Sequence, residues 1–158
     1  IRLGKQLFND PVLSKGNTRS CASCHVAEKA FTDGEEKSRS LEHNLLARNT
    51  PSLNYAAFQH GQFWDMRNVD LEGQSSDVIT NKDEMHGDLD DIISEINRNQ
   101  AYRSVFRQIY KTENAEKWQL QNALASYVRS LATFTSGYDE YMRGNRNALT
   151  QNQKEGFN

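Results

Sequence analysis

Cysteine is scarce in this chain: there are two in 158 residues, too few for a disulfide framework. Both sit within four positions of each other, so no second cysteine pair is available elsewhere. Apolar residues are also sparse, at 36%, and the mean hydropathy is −0.84. No run of 18 or more apolar residues occurs, which excludes a membrane-spanning helix. Excess charge of one sign is missing too. The net charge is −2, which argues against a general binder of nucleic acid or anionic membrane. No stretch alternates apolar and polar residues as a half-buried strand would. No signal peptide is visible at Ile1-Arg2-Leu3-Gly4, as expected of a mature or trimmed chain. The length suits one domain. At this size about 68–70% of the unfolded surface can be buried, and a bound apolar group would help so polar a chain fill its core.

What is present is Cys21-Ala22-Ser23-Cys24-His25. This C-x-x-C-H pattern reads as a c-type haem attachment site. Each thiol can add across one haem vinyl group to form a thioether, and the following histidine is placed to ligate the iron. Two other readings compete. Half of a zinc site would need two further ligands, and His43, His60 and His86 are too scattered to supply that spacing. A thioredoxin-like redox pair should follow a strand in a βαβ unit, and no such pattern is found. A covalent haem also implies maturation outside the cytoplasm, in a periplasm-like compartment.

The periodic signals are helical, and the fold class is all-α. Leu3 to Phe8 predicts a short helix ended by Asp10-Pro11. Leu89, Ile92, Ile93 and Ile96 fall at helical spacing, with Asp88, Asp90 and Asp91 favouring the positive N-terminal end. Tyr102, Val105, Phe106, Ile109 and Tyr110 repeat the pattern. Leu120, Leu124, Val128 and Leu131 predict a longer helix over Ala115 to Thr133, with Asn114 as its cap. From Ala30 to Thr80 helical signals are few. The aromatic residues Phe58, Phe63 and Trp64 mark that stretch as a packed, functional loop.

Seven motifs in order extend the reading over Leu3 to Phe157. They are L-G-K-x-L-F-x-D-P-x-L-S, S-C-A-S-C-H, F-T-D-G at Phe31 to Gly34, R-N-T-P-S-L-N at Arg48 to Asn54, F-W-D-x-R at Phe63 to Arg67, L-E-x-Q at Leu71 to Gln74, and Glu84-Met85. Together they make the chain resemble the N-terminal half of a bacterial di-haem cytochrome c peroxidase of the MauG-type group. The resemblance implies a cytochrome c-like helical domain over 1–148 that carries the peroxidatic haem. Residues 149–158 would begin a second haem domain that is cut short.

It also implies roles for single residues. Cys21 and Cys24 would bear haem c, and His25 would be the proximal ligand. Glu84 would handle the proton of hydrogen peroxide as acid and base. Gln74 would donate from the distal side. Trp64 would lie between two haems and mediate electron transfer, although most tryptophans serve packing. His43 would cap the iron at rest and leave on activation, with His60 and His86 as rivals. Asn49 would contribute to calcium between the domains, although before Thr50-Pro51 it also suits a turn. Met66 stands where the family often has glycine.

The implied activity is reduction of hydrogen peroxide to water, with electrons from a second haem and a small donor such as a cytochrome c or cupredoxin. The full-length form would be a possible homodimer. Two other functions compete. One is a mono-haem electron carrier, with Met85 or Met142 closing the sixth position of iron. The other is MauG-type oxidation of a partner protein.

Overall fold

A computed structural model describes residues 1–157. Among them lie seven α-helices and no strand: α1 Arg2–Asn9, α2 Leu71–Thr80, α3 Leu89–Arg98, α4 Gln100–Tyr110, α5 Lys117–Arg129, α6 Gly137–Met142 and α7 Gln151–Phe157. The all-α expectation holds.

α1 buries Leu3, Gly4, Leu7 and Phe8 along one face and lays it across α5. The approach is close at Gly4, where an added Cβ would fall 1.9 Å from the carbonyl oxygen of Ala123. Only glycine lets the two backbones meet there. The chain leaves α1 in extended conformation at Asp10, whose carboxylate accepts the Val12 N–H at 2.9 Å. α3 starts at Asp88, which caps the N–H groups of Asp90 and Asp91. α4 starts at Asn99, which caps Ala101 and Tyr102. Leu7, Leu13, Ile79, Ile96, Phe106 and Leu120 form the fully buried centre. Phe8 meets Tyr127 edge-on at 5.1 Å within it.

Two boundaries differ from expectation. α5 runs over Lys117–Arg129 rather than Ala115 to Thr133, and Glu116 replaces Asn114 at its start. Ala115 is held outside the helix because Asn97 pairs with both its N–H (2.7 Å) and its carbonyl (3.1 Å). At the other end the Ser130 and Leu131 N–H groups close tight turns onto Tyr127 and Val128. α2 lies inside the stretch read as loop up to Thr80. It buries only Leu71 and Ile79, so its apolar period is faint. A cap defines it instead, the Asp70 carboxylate accepting the Gly73 N–H at 2.8 Å. α6 and α7 carried no periodic signal; Phe157 of α7 packs on Tyr138 and Tyr141 at 5.5 and 6.3 Å.

Between α1 and α2 the backbone folds into loops closed by isolated bridges, Val26 with Thr32, Arg39 with Leu45 and Gln62 with Asn68. Their polar groups are satisfied internally, as burial demands. The Ser38 and Thr50 hydroxyls bond at 2.5 Å, and Gln62 donates to the Ala56 carbonyl at 3.1 Å. The aromatic residues expected to pack this stretch do not bury: Phe58 is 64% and Trp64 61% exposed, and Phe58 meets Phe134 edge-on at 5.4 Å.

Candidate active site

Cys21–Ser23 form a single 3₁₀ turn. The Ser20 N–H donates to the Ser23 hydroxyl at 3.1 Å, and the Cys24 and His25 N–H groups both return to the Cys21 carbonyl at 3.2 and 2.9 Å. In a 3₁₀ turn positions i and i+3 eclipse, so Cys21 and Cys24 share one side, and His25 follows directly. The two cysteines form no disulfide with each other. Cys21 packs against the main core.

His25 is oriented from the next loop. Its Nδ1 lies 2.8 Å from the Phe31 carbonyl oxygen. A carbonyl only accepts, so Nδ1 carries the proton and the Nε2 lone pair is left for a metal. Ala30 and Phe31 both adopt left-handed conformations, at φ 55° and 59°, which turns that carbonyl back toward the histidine. The imidazole also packs on Phe8, with centroids 6.3 Å apart.

Burial governs the charges here. It pushes the Cys21 thiol up to about 12. It raises Cys24 too, against the pull of Arg19 and with reinforcement from Asp33 and Glu84. It lowers His25, which keeps the imidazole neutral, with the Phe31 hydrogen bond and Asp33 opposing. Two thiols and a neutral, oriented imidazole on one turn fit a c-type haem. Among the described residues no group of three or more His, Cys, Asp and Glu side chains converges for a metal, so a closed zinc centre is not built.

Glu84 lies on a turn tied through the 39–45 loop to Arg19, two residues before Cys21. It is half-buried. Burial raises its carboxyl, Asn81 and Arg67 oppose that shift, and Asp83 and Asp77 add to it. Two contacts bring the 39–45 loop beside this turn. The Leu41 N–H donates to the Asp83 carbonyl at 3.2 Å. The Arg19 guanidinium donates to the carbonyls of Arg39 (3.0 Å) and Ser40 (2.8 Å).

The other candidates are placed differently. Gln74 is half-buried on α2, and its side chain makes no hydrogen bond among the described residues. His43 is exposed in the 39–45 loop at φ 66°; its backbone carbonyl accepts from Arg39 at 3.1 Å, and its ring is unbonded among the described residues. His60 is exposed and His86 half-buried. Trp64, 61% exposed, and Asn49, exposed, share a shallow depression of about 500 Å³ with Lys37 and Arg48. Met85 lies buried in the main core, whereas Met142 is exposed. Met66 takes φ 54°, a conformation that favours glycine, and is 64% exposed.

Sequence reasoning missed Arg19, Phe31, Arg67 and Asn81. A backbone carbonyl such as that of Phe31 leaves no mark in a sequence. Asn81 left one, as an Asx-turn residue two before Asp83.

A family model described as di-haem cytochrome c peroxidase matches residues 1–147. The methylamine utilization protein MauG of Methylophilus methylotrophus is 32% identical, over 98% of this chain and 46% of its own length. The cytochrome c peroxidase Ccp of Escherichia coli (strain K12) is 31% identical, over 99% of this chain and 34% of its own. The chain thus spans half or less of these relatives. Among solved structures, a MauG-like protein associated with microbial copper homeostasis superposes with a TM-score of 0.86 at 30% identity, covering 99% of this chain and 47% of that one.

Proposed function

The chain belongs to the di-haem cytochrome c peroxidase family, and from that premise we propose that it houses the peroxidatic site of a periplasmic enzyme reducing hydrogen peroxide to water. Residues 1–148 form the N-terminal haem domain in this reading, and 149–158 lead into a second one. A haem held through Cys21, Cys24 and His25 supplies the iron redox chemistry when bound. The reaction consumes one peroxide, two protons and two electrons and yields two waters. The electrons come from a second haem and, ultimately, from a small redox protein.

Glu84 carries the proton work. Its carboxylate takes the proton of the attacking peroxide oxygen and returns it to the leaving oxygen, the general acid–base role of a positioned carboxyl. Its upward shift on burial brings it closer to the pH at which it must do both. The observation behind this assignment is a half-buried Glu84 on a turn tied, through the Asp83–Leu41 bond, to the loop that Arg19 holds two residues before Cys21. Gln74 donates its amide N–H to the substrate. Trp64, exposed and beside Asn49, offers its indole to the second domain as an electron relay, and Asn49 offers its carbonyl oxygen to a calcium ion there. His43, on an exposed loop, supplies a removable iron ligand in the resting state. In the MauG-type variant the electrons are drawn from a partner protein, and the proton chemistry of Glu84 is unchanged.

The test is Glu84→Gln in the full-length haem-loaded protein. We expect peroxide turnover to fall about 10²-fold or more with the haem spectrum and melting temperature retained. Unchanged turnover would sink the assignment.

A further inference from the structure

We propose that Asn81 is the positioning residue for the Glu84 carboxylate: it occupies Oε1 and leaves Oε2 as the oxygen that exchanges protons. The inference rests on the acid–base reading of Glu84 and names the part of that site which sequence reasoning did not reach.

The geometry is over-determined. Asn81 follows α2 directly, and its N–H donates to the Asp77 carbonyl at 2.9 Å. Its own carbonyl accepts from the N–H groups of Glu84 (3.1 Å) and His86 (2.8 Å). The side chain is fixed as firmly as the backbone. Oδ1 accepts the Asp83 N–H at 3.0 Å, an assignment only the oxygen can satisfy. The amide nitrogen therefore faces the other way, where Nδ2 donates to Glu84 Oε1 at 2.8 Å. No flip of this amide preserves both bonds. Glu84 Oε2 has no hydrogen-bond partner among the described residues.

The chemistry follows from what surrounds the carboxylate. Asp83 lies on its own turn, Asp77 on α2 and Arg67 in the 62–68 loop. Desolvation and the two aspartates favour the protonated acid, and Arg67 opposes them. A donor held on Oε1 favours the ionised form and keeps the base available. It also blocks one oxygen, so the carboxyl presents a single working atom in a fixed direction. That restriction is what a group acting first as base and then as acid on adjacent oxygens requires.

A turn residue with no such role would show the same backbone bonds, so the variants must separate the two. Asn81→Asp keeps an oxygen for the Asp83 N–H but faces Glu84 with an acceptor. Asn81→Ser keeps an oxygen for that N–H, adds no charge and is too short to reach Glu84. Both are measured in the full-length haem-loaded protein, alongside the infrared titration of the Glu84 carboxyl, identified by its loss in Glu84→Gln. We expect both variants to move the acid limb of the kcat/KM profile and the carboxyl titration to higher pH together. A move of about one unit lowers turnover about tenfold on that limb, and the melting temperature should change little. Wild-type titration in both variants overturns the inference. Failure of Glu84→Gln to reduce turnover overturns the acid–base reading instead, while the infrared titration still decides whether Asn81 controls the carboxyl.

Discussion

The Nδ1 of His25 and the backbone carbonyl oxygen of Phe31 lie 2.8 Å apart. One hydrogen bond sets the tautomer of the histidine and aims its free nitrogen. It depends on a left-handed backbone at Ala30 and Phe31 and on the Val26–Thr32 bridge that closes the loop. The attachment turn and the loop after it are thus one unit.

Burial of the thiols leads to a first prediction. Cys21 is pushed up to about 12 and Cys24 is raised by the same cause. The thiolate is the reacting form. In the haem-free folded chain both should alkylate with iodoacetamide at pH 8 more slowly than a free cysteine, Cys21 slowest. In denaturant the two should react alike. Peptide mass mapping against time reads both rates. Fast labelling of Cys21 in the folded chain would contradict the raised thiol.

Arg19 straps the 39–45 loop through two carbonyls. Arg19→Ala should speed amide hydrogen exchange at Ser40 to Asn44 by about tenfold or more, as expected for loss of charge-assisted bonds. Arg19→Lys should fall between, because a single ammonium lacks the planar fork that spans two acceptors. Exchange unchanged in Arg19→Ala would mean that the loop's own bonds and the Leu41–Asp83 bond hold it without Arg19.

Gly4 is a packing constraint. Alanine there would drive its Cβ into the Ala123 carbonyl and force α1 off α5. The better helix propensity of alanine, about 1 kcal/mol, does not offset an overpacking cost of about 1–3 kcal/mol or more. Gly4→Ala should lower the melting temperature by calorimetry. A rise would show that α1 is not seated on α5.

Acid should weaken the α2–α5 contact. Arg129 grips Glu72 through two bonds of 2.7 Å, and that bond is the main cause holding the Glu72 carboxyl below its ordinary 4.5. A depressed carboxyl contributes stability above its unfolded value and loses it as pH falls through the folded one. The pair is partly exposed, so the effect is about 1 kcal/mol or less. Glu72→Gln should melt below wild type at pH 6, and the gap should close as pH drops below about 4.5. A gap independent of pH would assign the difference to packing alone.

The haem-attachment motif was legible because its residues are contiguous and their chemistry depends on spacing alone. α1, α3 and α4 were legible because each buries a regular apolar stripe and starts or stops at a recognisable cap or proline. Local order of this kind is written in neighbouring residues. α2 was missed because it buries two residues of ten, and the ends of α5 were misplaced because Asn97, eighteen positions away from Ala115, decides where it starts. The site followed the same division. The contiguous motif marked which groups could hold a haem, and only the family resemblance pointed to Glu84 among the many acids. Only the tertiary structure decided that the Phe31 carbonyl orients His25, that Arg19 and Asp83 clamp the 39–45 loop, and that Asn81 holds one oxygen of Glu84. Those contacts are made by backbone groups or by amides whose orientation depends on a bond elsewhere, and neither is specified until the chain has folded.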